Sequence, residues 1–200
     1  MTLRSCTRPL RTALLVLAAT LVSLPTVHAQ ILRLTLDQMV ERTDGAVIGT
    51  IVERRVTHLE ETKDGPDLFF TTLVVEGEDL ATGAQIKIEV SFPGGFVDDE
   101  TGVWNSEAPS AEDQRLGNRI VAFWKKTADM GGGFASNALY ASHGGLFRAF
   151  EDRWGREVVL GRGEGYAIDH NRRLSTLRTE YRPLREEVER KRKEAGEAPR

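Results

Sequence analysis

Cysteine is nearly absent: the chain of 200 residues has one, Cys6. It lies ahead of an apolar run, within a segment that reads as a cleavable secretory signal. Cleavage leaves a chain with no disulfide and no thiol chemistry. A small exported domain without disulfides must hold together through its core alone, which suits a bacterial periplasm or exterior. Long hydrophobic runs are also lacking. The longest, Ala13 to Leu24, falls short of the ~20 residues that a membrane-spanning helix needs. Aromatic residues make up 7% of the chain. Three motif classes are missing as well: the His-x-x-x-His pair of a zinc site, the Gly-x-Ser-x-Gly elbow of a hydrolase, and the Gly-x-x-x-x-Gly-Lys loop of a nucleotide-binding protein.

What is present begins with export. Arg4, Arg8 and Arg11 form a basic start, and Val27 and Ala29 fit the small-residue positions before a cleavage site. Residues 1–29 are therefore expected to be removed, with Gln30 as the new N-terminus. The whole chain carries 27 basic and 30 acidic residues, a net charge of −3. Without the three signal arginines the balance is 24 against 30, or −6. A mildly acidic surface argues against general nucleic-acid binding. No membrane span is expected in the mature form.

Periodicity predicts a mainly β fold. Thr35 and Gln38 make a capping box for a short helix, which Thr43-Asp44-Gly45 ends. Strands are expected over 46–58, 68–76, 85–92, 118–125, 136–141, 146–151 and 156–161. Gly49 suggests a bulge or bend in the first. In the third, Ile86, Ile88, Val90 and Phe92 alternate with Lys87, Glu89 and Ser91, the pattern of one buried and one wet face. Lys63 to Pro66 and Asp152 to Gly155 read as turns. The expected architecture is a small antiparallel barrel of six or seven strands, OB-like, over 30–165. An extension over 166–200 carries a weak apolar stripe of Leu174, Leu177, Tyr181 and Leu184 that could pack on the barrel. Pro183 should interrupt any helix there. Residues 185–194 are nearly all charge and suggest a solvated, fraying helix.

Four pieces, in order, resemble a group of uncharacterised secreted bacterial proteins: Asp44 to Val52, Val90-Ser91-Phe92-Pro93-Gly94-Gly95, Gly117 to Phe123, and Tyr140 with Gly144-Gly145-Leu146-Phe147. The resemblance spans roughly 34–162. That group looks like an OB-type barrel similar to netrin-like and tissue-metalloprotease-inhibitor domains. It implies a fold rather than an activity. Those inhibitors chelate the protease zinc with a disulfide-bonded N-terminal cysteine, which a chain starting at Gln30 does not have.

Candidate chemistry is sparse. The acids Asp98, Asp99 and Glu100 could offer oxygen ligands to calcium, but they lack the spacing of a known calcium loop. Gly161-Arg162-Gly163-Glu164-Gly165 has the wrong spacing for a phosphate loop. His58, His143 and His170 are far apart in sequence, and His143 stands just before Gly144-Gly145. The segment 93–114 exceeds the ~12–15 residues above which unstructured loops tend to be functional. It carries Phe96 and Trp104, the latter in a polar context, and aromatic anchors are enriched in binding hot spots. Candidate binding residues are Trp104, Phe96 and His143. The expected function is a secreted, non-catalytic module that binds another secreted or envelope protein, with no cofactor. The loops 93–114 and 127–133 would flank its binding face. Two alternatives stand: a periplasmic hydrolase using His143 with an acid of the long loop, and a structural envelope component.

Overall fold

The computed structural model describes residues 32–60 and 65–196. The signal segment with Cys6 and Gln30, the first half of the 63–66 turn and the last four residues lie outside the described residues.

Helix α1 (Leu36–Arg42) starts at the expected capping box. The Gln38 N–H donates to Thr35 Oγ1 and the Thr35 N–H to Gln38 Oε1, satisfying two amides that a helix start leaves open. The strands follow: β1 (Gly45–Leu59), β2 (Leu68–Asp79), β3 (Gln85–Pro93), the short β4 (Gly95–Phe96) and β5 (Gly102–Val103), β6 (Arg119–Thr127), β7 (Ser136–Leu139), β8 (Leu146–Glu151), β9 (Glu157–Val159) and β10 (Arg172–Arg173). A 3-10 turn over Ser142–Gly145 precedes β8, and helix α2 (Leu174–Glu194) ends the fold.

Five strands close a barrel in the order β1-β2-β3-β7-β6 and back to β1. Pairing is antiparallel except at the seam, where β3 meets β7 in parallel through Ser91 and Ala138. That seam buries Ser91, which alternation alone assigns to the wet face. Its hydroxyl is instead bonded to Thr72 Oγ1 at 2.8 Å and Ser136 Oγ at 2.7 Å. Closure puts a neighbouring strand over a residue that an open sheet would leave in water.

The bulge in β1 falls between Ile51 and Glu53, not at Gly49. Gly49 pairs with Gly77 of β2, and the two backbones lie so close that a Cβ on Gly77 would collide with the Ile48 carbonyl. Glycine here permits a close approach rather than a bend.

Both faces of β1 and β6 are covered, which explains their unbroken apolar runs. Val47, Ile51, Ile120 and Ala122 point into the barrel with Leu73, Val75, Val90 and Phe92. Ala46, Ile48, Val121 and Phe123 point outward and meet Met39 and Val40 of α1 and Leu174, Leu177 and Tyr181 of α2. Full burial of side chains of this size stabilises the fold by about 1.5–3 kcal/mol each.

The C-terminal segment corrects one expectation. Helix α2 runs through Pro183 without a break, while most of residues 186–194 are exposed as expected. Its apolar stripe shares the outer core, and Arg185 is buried, donating through Nη1 to the Thr43 carbonyl at 2.8 Å and through Nη2 to the Asp44 carbonyl. Packing of one face outweighs the ~3 kcal/mol that an interior proline costs. Along its charged end Glu187 pairs with Lys191 at 3.3 Å, Arg190 bonds Glu187 and Glu194, and Glu189 accepts from Arg185. The described residues from 32 to 196 form one compact unit. No helix among the described residues is long and apolar enough to cross a membrane.

Candidate functional site

The long segment between β3 and β6 is not a bare loop. Gly94 and Gly95 turn the chain off the end of β3, both with positive φ. A Cβ on Gly95 would strike Thr71 Oγ1, so only glycine lets the chain cross β2 this closely. Thr71 Oγ1 donates to the Gly94 carbonyl at 2.7 Å, and the Gly94 N–H to the Phe69 carbonyl at 2.7 Å. The chain then forms the β4–β5 hairpin, in which Gly95 pairs with Val103 and Phe96 with Gly102. Its tip is tied by Asp98, whose Oδ1 accepts from the N–H of Glu100 at 2.9 Å and of Thr101 at 2.7 Å. These bonds hold the Asp98 carboxyl below its ordinary pKa. The carboxylate proposed from sequence as a calcium ligand thus closes a turn. Among the described residues no three His, Cys, Asp or Glu side chains are grouped to hold a metal.

Residues 105–116 return along the other side. Asn105 starts them, donating to the Pro93 carbonyl at 2.9 Å and accepting from the Glu107 N–H at 2.9 Å. Gln114 is buried and donates to the Pro109 carbonyl. Between this segment and the hairpin lies an open groove of about 770 Å³. Thr71, Phe92 and Gly94 line its base. Phe96, Val103 and Trp104 stand on the hairpin side, with Leu116 opposite. The apolar side chains here are unusually wet. Trp104 is 80% exposed and Leu116 63%, with Phe96, Val97 and Val103 close to half exposed. Trp104 therefore does not cap the barrel.

His143 reaches the same groove by a different route. β7 and β8 both pair with β6, Leu139 opposite Trp124 and Leu146 opposite Ala122. They would form one strand but for residues 140–145, which loop outward and carry His143 toward the 105–116 segment. The His143 N–H donates to the Glu107 carbonyl at 2.9 Å. The three residues picked from sequence, Phe96, Trp104 and His143, thus line one groove.

Behind His143 stands Arg162, from the glycine-rich connection after β9. Its Nη1 lies 3.1 Å from His143 Nε2. Its Nε and Nη2 donate to the Leu146 carbonyl, and Nη2 also donates to Asp113 Oδ2 at 2.9 Å. A guanidinium can only donate, so Nε2 accepts and the imidazole is neutral with its proton on Nδ1. Burial, and then the Arg162 charge, hold the His143 pKa below its ordinary value. Asp113 is also buried and is bridged to Arg148 Nε at 3.2 Å. Burial pushes its pKa up, but the Arg162 hydrogen bond and charge outweigh that and keep the carboxyl below the usual range. Of the acids of the long loop, Asp113 comes near His143 through Arg162, and Glu107 meets it through its backbone carbonyl. Arg162 also occupies the Nε2 lone pair that a general base would use.

Sequence reading missed Arg54, Leu116, Asp113 and Arg162 at this site. Arg54 sits mid-strand in a charged run, and Arg162 sits in a glycine-rich stretch that reads as a connection. No local spacing joins either to residues 104–116. Of the other candidates, His58 stacks on Phe69 with ring centroids 4.3 Å apart and pairs with Asp67, and His170 pairs with Asp169 on the surface. Neither lines the groove.

Compared with protein-family models, curated proteins and solved structures, the chain matches none of them.

Proposed function

We propose that this protein is an exported, non-catalytic binding module that seats a segment of another secreted or envelope protein in the groove between the β4–β5 hairpin and residues 105–116. One observation carries the reading. Phe96, Val103, Trp104 and Leu116 expose apolar surface around a single groove, whereas other exposed apolar side chains such as Phe150 and Trp154 lie outside it. Contiguous exposed apolar surface rimmed by polar residues is the mark of an interaction site. Trp104 is the natural anchor, since a tryptophan buried on binding is a common hot spot. The rim is built in place by Asn105, Gln114 and Arg162 through bonds to backbone or to buried partners, so little ordering cost falls on binding. Export is supported by the signal pattern of residues 1–29.

The test is capture of partners from the native periplasm or medium by wild type, Trp104→Ala and Trp154→Ala. Trp154 is 61% exposed on the β8–β9 turn, outside the groove. Partners lost only with Trp104→Ala support the reading; identical partner sets for all three overturn it. Mass spectrometry of the exported protein should find Gln30 at its N-terminus, and an intact residue 1 would remove the export half.

A further inference from the structure

Resting on that reading, we propose that the segment seated in the groove carries a carboxylate beside a large apolar side chain, and that Arg54 receives the carboxylate. The groove wall holds Arg54 and Arg115 and no Asp or Glu, although acids outnumber bases in the chain by 30 to 27. The two arginines differ. Arg115 is paired with Glu112 at 3.3 Å and is already compensated. Arg54 is not: its Nε donates to Gln114 Oε1 at 3.0 Å, and no carboxylate among the described residues pairs with it. Other arginines of the fold do have such partners, Arg119 with Glu157, Arg162 with Asp113 and Arg178 with Glu78.

The hold on Arg54 matters as much as its charge. Gln114 is buried and fixed through the Pro109 carbonyl, so it fixes the guanidinium in turn. The Nη1 and Nη2 donors remain, arranged as a fork that matches a carboxylate in a two-point bond. Such a receptor beside Leu116 and Trp104 calls for an acid next to an apolar anchor. A protein segment fits better than a small amphiphile. Small-molecule sites bury about 70–90% of the ligand, and an open groove with Trp104 standing 80% exposed does not enclose one. The acids Asp98, Asp99 and Glu100 sit at the hairpin tip, do not line the groove, and favour binding with the acidic end of the segment away from them.

The probe is an array of short synthetic peptides with one central Leu, Phe or Trp, flanked by Asp and Glu, by Asn and Gln, or by Lys and Arg. Binding is measured with the purified protein, with Trp104→Ala, with Arg54→Gln and with Arg54→Lys. The expected result is preference for acidic flanks that fades with added salt. Trp104→Ala should weaken it about 30-fold, and Arg54→Gln about two- to fivefold. Arg54→Lys should recover only part of that loss, since the charge returns without the fork. Equal binding of acidic and neutral flanks that still needs Trp104, or no effect of Arg54→Gln, overturns the carboxylate inference and leaves the groove reading standing. Binding that survives Trp104→Ala in every class overturns both. No binding in any class overturns the carboxylate inference.

Discussion

Arg162 Nη1 and His143 Nε2 stand 3.1 Å apart, a donor that is always charged against an acceptor that must be neutral. Protonating His143 would turn the contact into a repulsion beside a buried pair. The Tyr166 ring meets the imidazole edge-on and supplies no counter-charge, and Asp113 is already shared by Arg162 and Arg148.

The pH dependence follows from that contact. The folded pKa of His143 is lowered, whereas in the unfolded chain it is about 6.5. Between the two the unfolded state binds more protons, so stability rises with pH there. The contribution is complete above about pH 6.5 and is lost as pH falls through the folded value. Asp113, also lowered, loses its contribution only at more acid pH, below the usual carboxylate range. Urea denaturation at pH 7.5, 6.5 and 5.5 should show wild type little changed over the first step and weakened over the second. His143→Gln stays neutral and can still accept from Arg162. An unchanged slope in that variant would assign the effect elsewhere.

Arg185 ties α2 to the end of α1. Its Nη1 and Nη2 satisfy the carbonyls of Thr43 and Asp44, and Glu189 accepts from its Nε at 3.0 Å. Arg185→Ala takes one donor from each of two buried carbonyls, of which Thr43 keeps Arg192 Nη2 at 3.1 Å, and removes the packed stem. The expected loss is about 2–4 kcal/mol, read as a lower urea midpoint with little change in slope. A loss under about 0.5 kcal/mol would mean that water replaces the guanidinium freely.

Tyr181 presents the opposite case. It is fully buried between Phe123 and the rest of the outer core, and its hydroxyl has no hydrogen-bond partner among the described residues. Burial pushes its pKa far up, because the ionised form cannot be hydrated there. Tyr181→Phe keeps the ring and removes a polar atom that gains nothing. Thermal unfolding should show equal or higher stability, by up to about 1–2 kcal/mol. A clear drop in Tm would reveal a partner for the hydroxyl.

Trp104 should separate binding from folding. At 80% exposure it contributes little to the core, so Trp104→Ala should change stability by less than about 0.5 kcal/mol. A larger loss, measured by the same denaturation, would make the residue structural and weaken its reading as an anchor.

Element positions were largely legible because their signals are local. The Thr35–Gln38 box, the alternation in β3 and the Asp152–Gly155 turn each lie within a few residues, and each forms as expected. Three local readings failed where a distant strand or helix intervened. Gly49 marks the close approach of Gly77 rather than a bulge. Ser91 is buried by a seam with a residue 47 positions later in the register Ser91↔Ala138. Pro183 sits inside a helix because the barrel holds the surrounding face.

The sequence alone determined the strand content, the short first helix and the aromatic character of the long segment, since hydrophobic period and turn chemistry act over neighbours. It also placed Phe96, Trp104 and His143 among the candidates, each for its own reason. Only the tertiary structure decided that these three share one groove, that Arg162 neutralises His143 as a base, and that Gln114 holds Arg54 with its fork unspent. Those outcomes depend on barrel closure bringing β1, the 105–116 segment, the 140–145 excursion and the 161–171 connection to one side. Closure is a global balance of packing and pairing, and no local pattern encodes which side chains it will set face to face.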